Sequence, residues 1–290
     1  MGQLDKAEKM LADYNDVFAD IVNVLLFDGE QVISRDSLQD TRAISQYKAD
    51  DSKLHEQERD VVKFVADKGV KIALVGFEHQ TTADADMSFR IMGYDGAAYR
   101  NQMLGESPER YPVVTLVLYF GNRHWNQGRN LHEALNIPDR LKPYVSNYEI
   151  NVFEIAFLKP EQIAKFTSDF KIVADYFVQR RMNGDYKPDH NTIKHVDEML
   201  KLMAVLTADH RFEEAIESVK KEDVTMCEVL DKVEARGIEK GIEKGMEKGR
   251  AEGRKEGREE ILRELKSLGI NLEELRAKKA SDAAPGKEVK

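Results

Sequence analysis

KIALVGFEHQ, residues 71–80, is the stretch on which the reading of this chain turns. Up to Phe77 it is apolar on both alternating faces: Ile72, Leu74 and Gly76 on one, Ala73, Val75 and Phe77 on the other. A strand apolar on both sides is a central strand, covered above and below. It stops abruptly in Glu78, His79 and Gln80. Period two sets Glu78 and Gln80 on one face and His79 on the other. A carboxylate and an amide therefore emerge together where a buried strand ends, a common place for active sites on mixed sheets.

The preceding residues sharpen this. RDVVKFVA, residues 59–66, reads as an antiparallel neighbour, with 67–70 as the turn. A three-residue loop, Lys68-Gly69-Val70, pairs Asp67 with Lys71 and, at constant register, Asp60 with Glu78. Opposed residues share a face with Cβ atoms roughly 5 Å apart. Asp60, Glu78 and Gln80 then converge. Two carboxylates that close repel, and a divalent cation relieves the repulsion. A slip of one residue separates them. The purely structural alternative has Asp60 paired with Arg59 or Lys63 and Glu78 capping an exposed strand end.

Outward from the hairpin, the order is helix, strands, helix, strand, loop, strand, which implies an α/β or α+β sheet with helices against it. Residues 1–27 are helical in pattern: Phe18, Ile21, Val22, Leu25 and Leu26 form one apolar stripe. Asp16 and Asp20 sit one turn apart on that helix, a pair that either faces solvent or lends a carboxylate to a site. Residues 30–58 read as polar and irregular, with one short strand at 31–34. Asp86 reads as the N-cap of a helix over 87–103 with Arg90 in its first turn. That arginine is either solvated or a phosphate contact. YPVVTLVLYFG at 111–121 and YEINVFEIAFL at 148–158 read as further strands. From 161 to 232 the pattern turns helical. His190, His195 and His210 lie there without metal-ligand spacing and read as surface or packing histidines.

Composition narrows the function classes. The chain has 290 residues, 41% hydrophobic, with formal net charge −9. Residues 236–290 carry 15 Lys/Arg and 12 Asp/Glu, net +3, which leaves 29 and 41, net −12, on residues 1–235. Phosphates would therefore have to be met by a local basic patch or by metal ions. The single cysteine, Cys227, rules out an internal disulfide and fits a reducing compartment. Residues 1–12 lack a secretory apolar segment, and the longest apolar run, 113–120, is too short to span a bilayer. A cytoplasmic protein without a membrane partner is expected. No nucleophile elbow or phosphate-binding glycine loop supports a small-molecule hydrolase.

An Asp on one strand followed by Glu-x-Gln on the next resembles the PD-(D/E)XK nuclease core. HEQERDVVKF, IALVGFEHQ, DMSFRIMGYDGAAYR, YPVVTLVLYFG, NVFEIAFL and the glycine-repeat tail together resemble the Rpn family, the recombination-promoting nucleases of the PD-(D/E)XK transposase type. The resemblance runs from about Asp16 into the tail. It implies an α/β fold, a restriction-endonuclease-like mixed sheet flanked by helices, and metal-dependent DNA endonuclease activity. On it, Asp60 and Glu78 hold a divalent cation, Mg2+ in the first instance, with the backbone carbonyl of His79 as a further ligand and Asp16 as an extra acid from the first helix. Gln80 stands where the superfamily usually has Lys and orients the attacking water. Arg90 stabilises the pentavalent phosphate. The competing reading is a catalytically weak or inactive relative that binds DNA or serves assembly. Neutral Gln80 and the acidic core favour that reading, while intact Asp60 and Glu78 favour the enzyme.

Three segments are expected: a nuclease-like core at 1–160, a helical region at 161–235 and a low-complexity tail at 236–290 with a short helix over 261–275. In the tail, Gly237, Gly241, Gly245, Gly249, Gly253 and Gly257 repeat every four residues. Each step advances roughly 40° beyond a full turn, so the glycines form a slowly winding right-handed stripe. Glu239, Glu243 and Glu247 form a second stripe, and Lys240, Lys244 and Lys248 a third. The tail is then either a solvated linker or a helix that forms in a homo-oligomer, with glycines at the contact and the charged stripes paired across it.

Overall fold

The computed structural model describes residues 11–41, 44–48, 54–58, 60–67, 70–106, 108–188, 190–207, 211–216 and 224–270. Its strands are β1 (Leu38–Asp40), β2 (Ile44–Lys48), β3 (Leu54–Glu58), β4 (Val61–Asp67), β5 (Val70–Gln80), β6 (Val113–Tyr119) and β7 (Asn151–Glu154). Five of them make one mixed sheet in the spatial order β1-β4-β5-β6-β7. β1, β4 and β5 run antiparallel to their neighbours, whereas β5, β6 and β7 are parallel. β5 is therefore central, as its doubly apolar sequence requires. Among the described residues β2 and β3 pair only with each other. This hairpin, and β1, lie in the stretch expected to be irregular. Their sequences, ISQYK and LHEQE, are too polar to advertise strands.

The sheet separates two apolar layers. Against one face lie α1 (Asn15–Phe27), α5 (Phe170–Asn183), α6 (Val196–Thr207) and α7 (Arg211–Ile216). There Phe18 stacks on Phe77 at 4.3 Å and Phe120 meets Phe170. The other face carries α2 (Met87–Leu104), where Met87, Ile91 and Tyr94 close over Val117, Tyr119 and Trp125. Two one-turn helices, α3 (Leu131–Ala134) and α4 (Pro160–Ile163), sit in the connections. Asp86 precedes α2 as expected, but its side chain caps nothing. Asp84 accepts from the Asp86 N–H, and the Asp86 carbonyl accepts from Arg90 N.

The register at the functional end of the hairpin is the one deduced: Val61 opposes Phe77 and Lys63 opposes Val75. At the turn end it differs. A bulge between Val65 and Ala66 brings Asp67 opposite Val70 instead of Lys71. An extra residue absorbed by a bulge and a shorter loop cancel, so Asp60 keeps its place.

The residues on either side of 160 share one continuous apolar cluster, running from α1 and the strands through Phe170, Met199 and Val229. The chain divides into two compact units at 233/234, not at 160. α8 (Met226–Ser267) begins in the first unit with Met226, Val229 and Val233 buried. From Glu234 onward it forms the second unit. The glycine repeat is thus one continuous helix, without a break before 261. It ends at Ser267, where Gly269 takes φ +72° and donates to the Lys266 carbonyl. Only glycine adopts that left-handed cap readily. The rest of the expected terminal helix, 271–275, lies outside the described residues. No described helix is long and apolar enough to cross a membrane.

Candidate active site at the end of the central strand

Asp60 stands one residue before β4, so the backbone ladder to β5 ends there with Asp60 N donating to Phe77 O at 3.2 Å. The next donor on β5, His79 N–H, finds the Asp60 carboxylate instead, at 2.7 Å. Asp60 Oδ2 also lies 3.6 Å from His79 Nδ1. In an extended strand N–H and C=O of one residue share an edge. The His79 carbonyl therefore faces the same edge as Asp60, beyond the end of β4.

Glu78 follows the alternation onto the α2 side of the sheet and is 1% exposed. A carboxylate that deep needs a positive partner. Arg90, in the first turn of α2, supplies it: Nη2 donates to Glu78 Oε2 at 3.1 Å and to Tyr94 Oη at 3.3 Å, while Nη1 donates to Asp84 Oδ2 at 3.0 Å. Burial pulls the guanidinium down, but Tyr94, Glu78 and Asp84 outweigh it and hold Arg90 above its ordinary value. Burial, then the Glu78 charge, pushes the Tyr94 phenol up; Asp60 adds to the rise.

Gln80 closes β5. Its carbonyl accepts from Phe120 N at 2.7 Å, and its side chain is half-buried on the Glu78 face. His79, on the opposite face, packs its ring over Phe120 at 6.0 Å and against Phe77. Asp60, Glu78, Gln80 and Arg90 therefore occupy one strand end, with Tyr94 and Asp84 as members that the sequence reading overlooked. Tyr94 reads as one more apolar residue of a helix stripe, and Asp84 as part of a polar connection. Their proximity to Arg90 is only visible once α2 lies on the sheet.

Asp16 is not brought there. Its carboxylate pairs with Lys194 and with His195 Nε2, 3.1 Å away, at the entrance to α6. The other acid of α1, Asp20, and its buried amide, Asn23, are also engaged. Asp20 accepts from Thr167 N, Thr167 Oγ1 and Ser168 N, and Asn23 exchanges two hydrogen bonds of 2.8 Å with the Ile33 backbone. Lys63, the alternative partner for Asp60, is buried and takes Asp13 and Asp40 instead, at 3.1 and 2.5 Å. Arg59 lies outside the described residues.

Comparison with known proteins identifies the lineage. Residues 50–210 match the family described as "Putative transposase, YhgA-like". The chain belongs to this family. The Rpn-like PD-(D/E)XK transposase resemblance read from the motifs is borne out by the match. No curated protein and no solved structure matches the chain. The YhgA-like stretch contains the β4–β5 hairpin, α2, β6, β7 and α5, hence Asp60, Glu78, Gln80 and Arg90, but neither α1 with Asp16 nor the glycine helix.

Whether this strand end suits a metal is a matter of donor chemistry. No group of three or more His, Cys, Asp or Glu side chains gathers among the described residues. What the strand end offers is oxygen: the carboxylates of Asp60 and Glu78 and the His79 carbonyl edge. That set fits a hard cation of the Mg2+ kind, which keeps several waters and needs only one or two carboxylates. It does not suit a soft or nitrogen-preferring metal.

Proposed function

We propose that the chain is a metal-dependent DNA endonuclease of mobile-element type, with a restriction-endonuclease-like core. The observation that carries this is the end of the central strand itself, where the Asp60 carboxylate accepts from His79 N at 2.7 Å and the adjacent residue, Glu78, accepts from Arg90 at 3.1 Å. The family match supports the same reading.

Asp60 and Glu78 would hold the cation, with the His79 carbonyl as a third oxygen. A cation there would supply Lewis acidity toward the phosphate and lower the pKa of a water. Arg90 already bridges Glu78 and Asp84, so its charge stands beside the place where phosphate charge would build up. Gln80 has no charge to give; its amide donates to a phosphate oxygen or orients the attacking water. The Arg90–Glu78 ion pair favours one competing reading, a relative whose acidic residue is neutralised internally and which binds DNA without cutting it.

The test is a plasmid nicking assay with Mg2+ and with Mn2+, together with a calorimetric metal titration. Asp60→Ala and Glu78→Ala should each reduce cleavage by at least 100-fold while the fold persists. Gln80→Ala should cost less, about tenfold, the usual scale for one hydrogen bond to a charged group. Wild-type levels of metal-dependent cleavage in Glu78→Ala would remove the assignment. Failure of the unaltered protein to bind the metal would favour the non-cutting relative.

A further inference from the structure

At the same end of the sheet, beyond Gln80, lies a cavity of about 470 Å3 between the ends of β5 and β6 and the last turns of α5. Its walls include Thr81, which follows Gln80 directly, and Asn122, Tyr176, Phe177, Arg180 and Arg181. Phe120, another wall, donates its backbone N–H to the Gln80 carbonyl. The cavity therefore opens at the same strand ends as the candidate site, on the α5 side of the sheet where His79 packs on Phe120.

The two arginines are out of place in their surroundings. Residues 1–235 carry a net charge of −12, and two other arginines of this region find acids: Arg90 has Glu78 and Asp84, and Arg129 has Glu154. Arg180 lies over the Tyr176 ring at 5.8 Å. Arg181 donates Nε to the Ala156 carbonyl at 2.6 Å and stacks on Phe157 at 4.4 Å. Among the described residues neither makes an ion pair with a carboxylate. Basic residues in a last helical turn interact favourably with the helix dipole. That does not account for a guanidinium tethered to a neighbouring loop and stacked on that loop's aromatic ring.

The contents follow from size and chemistry. Arginine pairs recognise phosphate with directed donors. A phosphate alone would leave most of the cavity empty, whereas 300–1,000 Å3 is the usual range for an organic ligand. Phe177 and its neighbours offer an apolar wall for a base, and Thr81 and Asn122 offer hydroxyl and amide groups for its edge. A base still paired in a duplex does not enter such a cavity. We infer that this cavity takes one unpaired nucleotide of a DNA strand, its phosphate on Arg180 and Arg181, so that the protein engages single-stranded or frayed DNA beside the scissile position. The link to cleavage rests on the nuclease reading; the binding does not.

Fluorescence anisotropy of the full chain in EDTA, where metal-dependent cleavage is silent, separates the two. A labelled 12-nucleotide oligothymidylate should bind more tightly than a blunt 12-base-pair duplex. Arg180→Gln/Arg181→Gln should weaken single-strand binding about tenfold or more, and Arg180→Gln alone, at an exposed position, should do so in part with an unchanged melting temperature. Glu78→Gln should retain the binding. Equal affinity of the wild type and Arg180→Gln for the single strand would overturn the inference, as would preference for the duplex. Competition by free thymidine monophosphate as effective as by the oligonucleotide would overturn the assignment to a strand. Arginine-dependent strand binding without any cleavage would leave the inference standing and remove the nuclease reading instead.

Discussion

Asp60 stands in for backbone. Where β4 ends, its carboxylate takes the His79 N–H that a further strand residue would have taken. Asp16 is the opposite case. An aspartate on the first helix reads first as a solvated residue and second as an extra acid for a site; in the structure its carboxylate pairs with Lys194 and His195. Burial alone would raise its carboxyl, but Lys194 and His195 outweigh burial and hold it below the ordinary carboxylate value. A depressed folded pKa contributes stability above the unfolded value, near 3.8, and that contribution fades as pH falls through the folded one. Asp16→Asn should therefore cost about 1 kcal/mol at pH 7, kept small by the solvent around Lys194. The difference from wild type should shrink as pH falls below 3.8 and through the depressed folded value. Urea denaturation at neutral pH and across that fall checks this. Cleavage should be unchanged; a hundredfold loss of activity with normal stability would return Asp16 to the active site.

The elements differ in how much outside help they need. β5 is long and apolar, and the sheet around it follows from ordinary pairing. α8 is different: 42 residues in one helix, about 63 Å long, with six interior glycines. Relative to alanine those glycines cost about 1 kcal/mol each, roughly 6 together. Ile238, Ile242 and Met246 lie 55–58% exposed along it, and a Cβ at any of the six glycines would meet nothing. The Glu and Lys stripes each repeat like charges four apart, which a lone helix does not favour. We propose a second copy of the same helix as the occupant, because it brings both complementary stripes and a matching glycine surface. Sedimentation equilibrium should show the full chain self-associating and a chain ending after Arg236 monomeric, with the association weakened by high salt as the charge stripes are screened. Monomers at all concentrations for both would sink this.

At the scale of the whole molecule the first unit holds the strands, both helical layers and the candidate site, and it closes at Val233. Val229 and Val233 are buried, so a cut at 225 removes core while a cut after Arg236 removes none. The longer truncation product should melt cooperatively within a few degrees of the full chain. The shorter one, without Met226, Val229 and Val233, should lose several kcal/mol by the usual cost of emptying buried aliphatic positions. Differential scanning calorimetry of the two distinguishes them, and equal melting temperatures would place the boundary elsewhere.

The sequence by itself determined the central strand, its buried hairpin neighbour with the register of Val61 opposite Phe77, and α2 with Arg90. All of these rest on short-range periodicity, and register in a buried hairpin is pinned by which face must be apolar. It also separated the glycine repeat from the rest, because that segment carries no apolar face of core type. What only the tertiary structure decided depends on elements far apart in the chain. Asp16 is claimed by Lys194 and His195, more than 170 residues later. Lys63 is claimed by Asp13 and Asp40. The helices after 160 close over the same core as the strands. Arg180 and Arg181, adjacent and unremarked at a helix end, come to line a cavity next to Gln80. Which charge neutralises which is set by how the layers stack, and one-dimensional spacing carries no record of that.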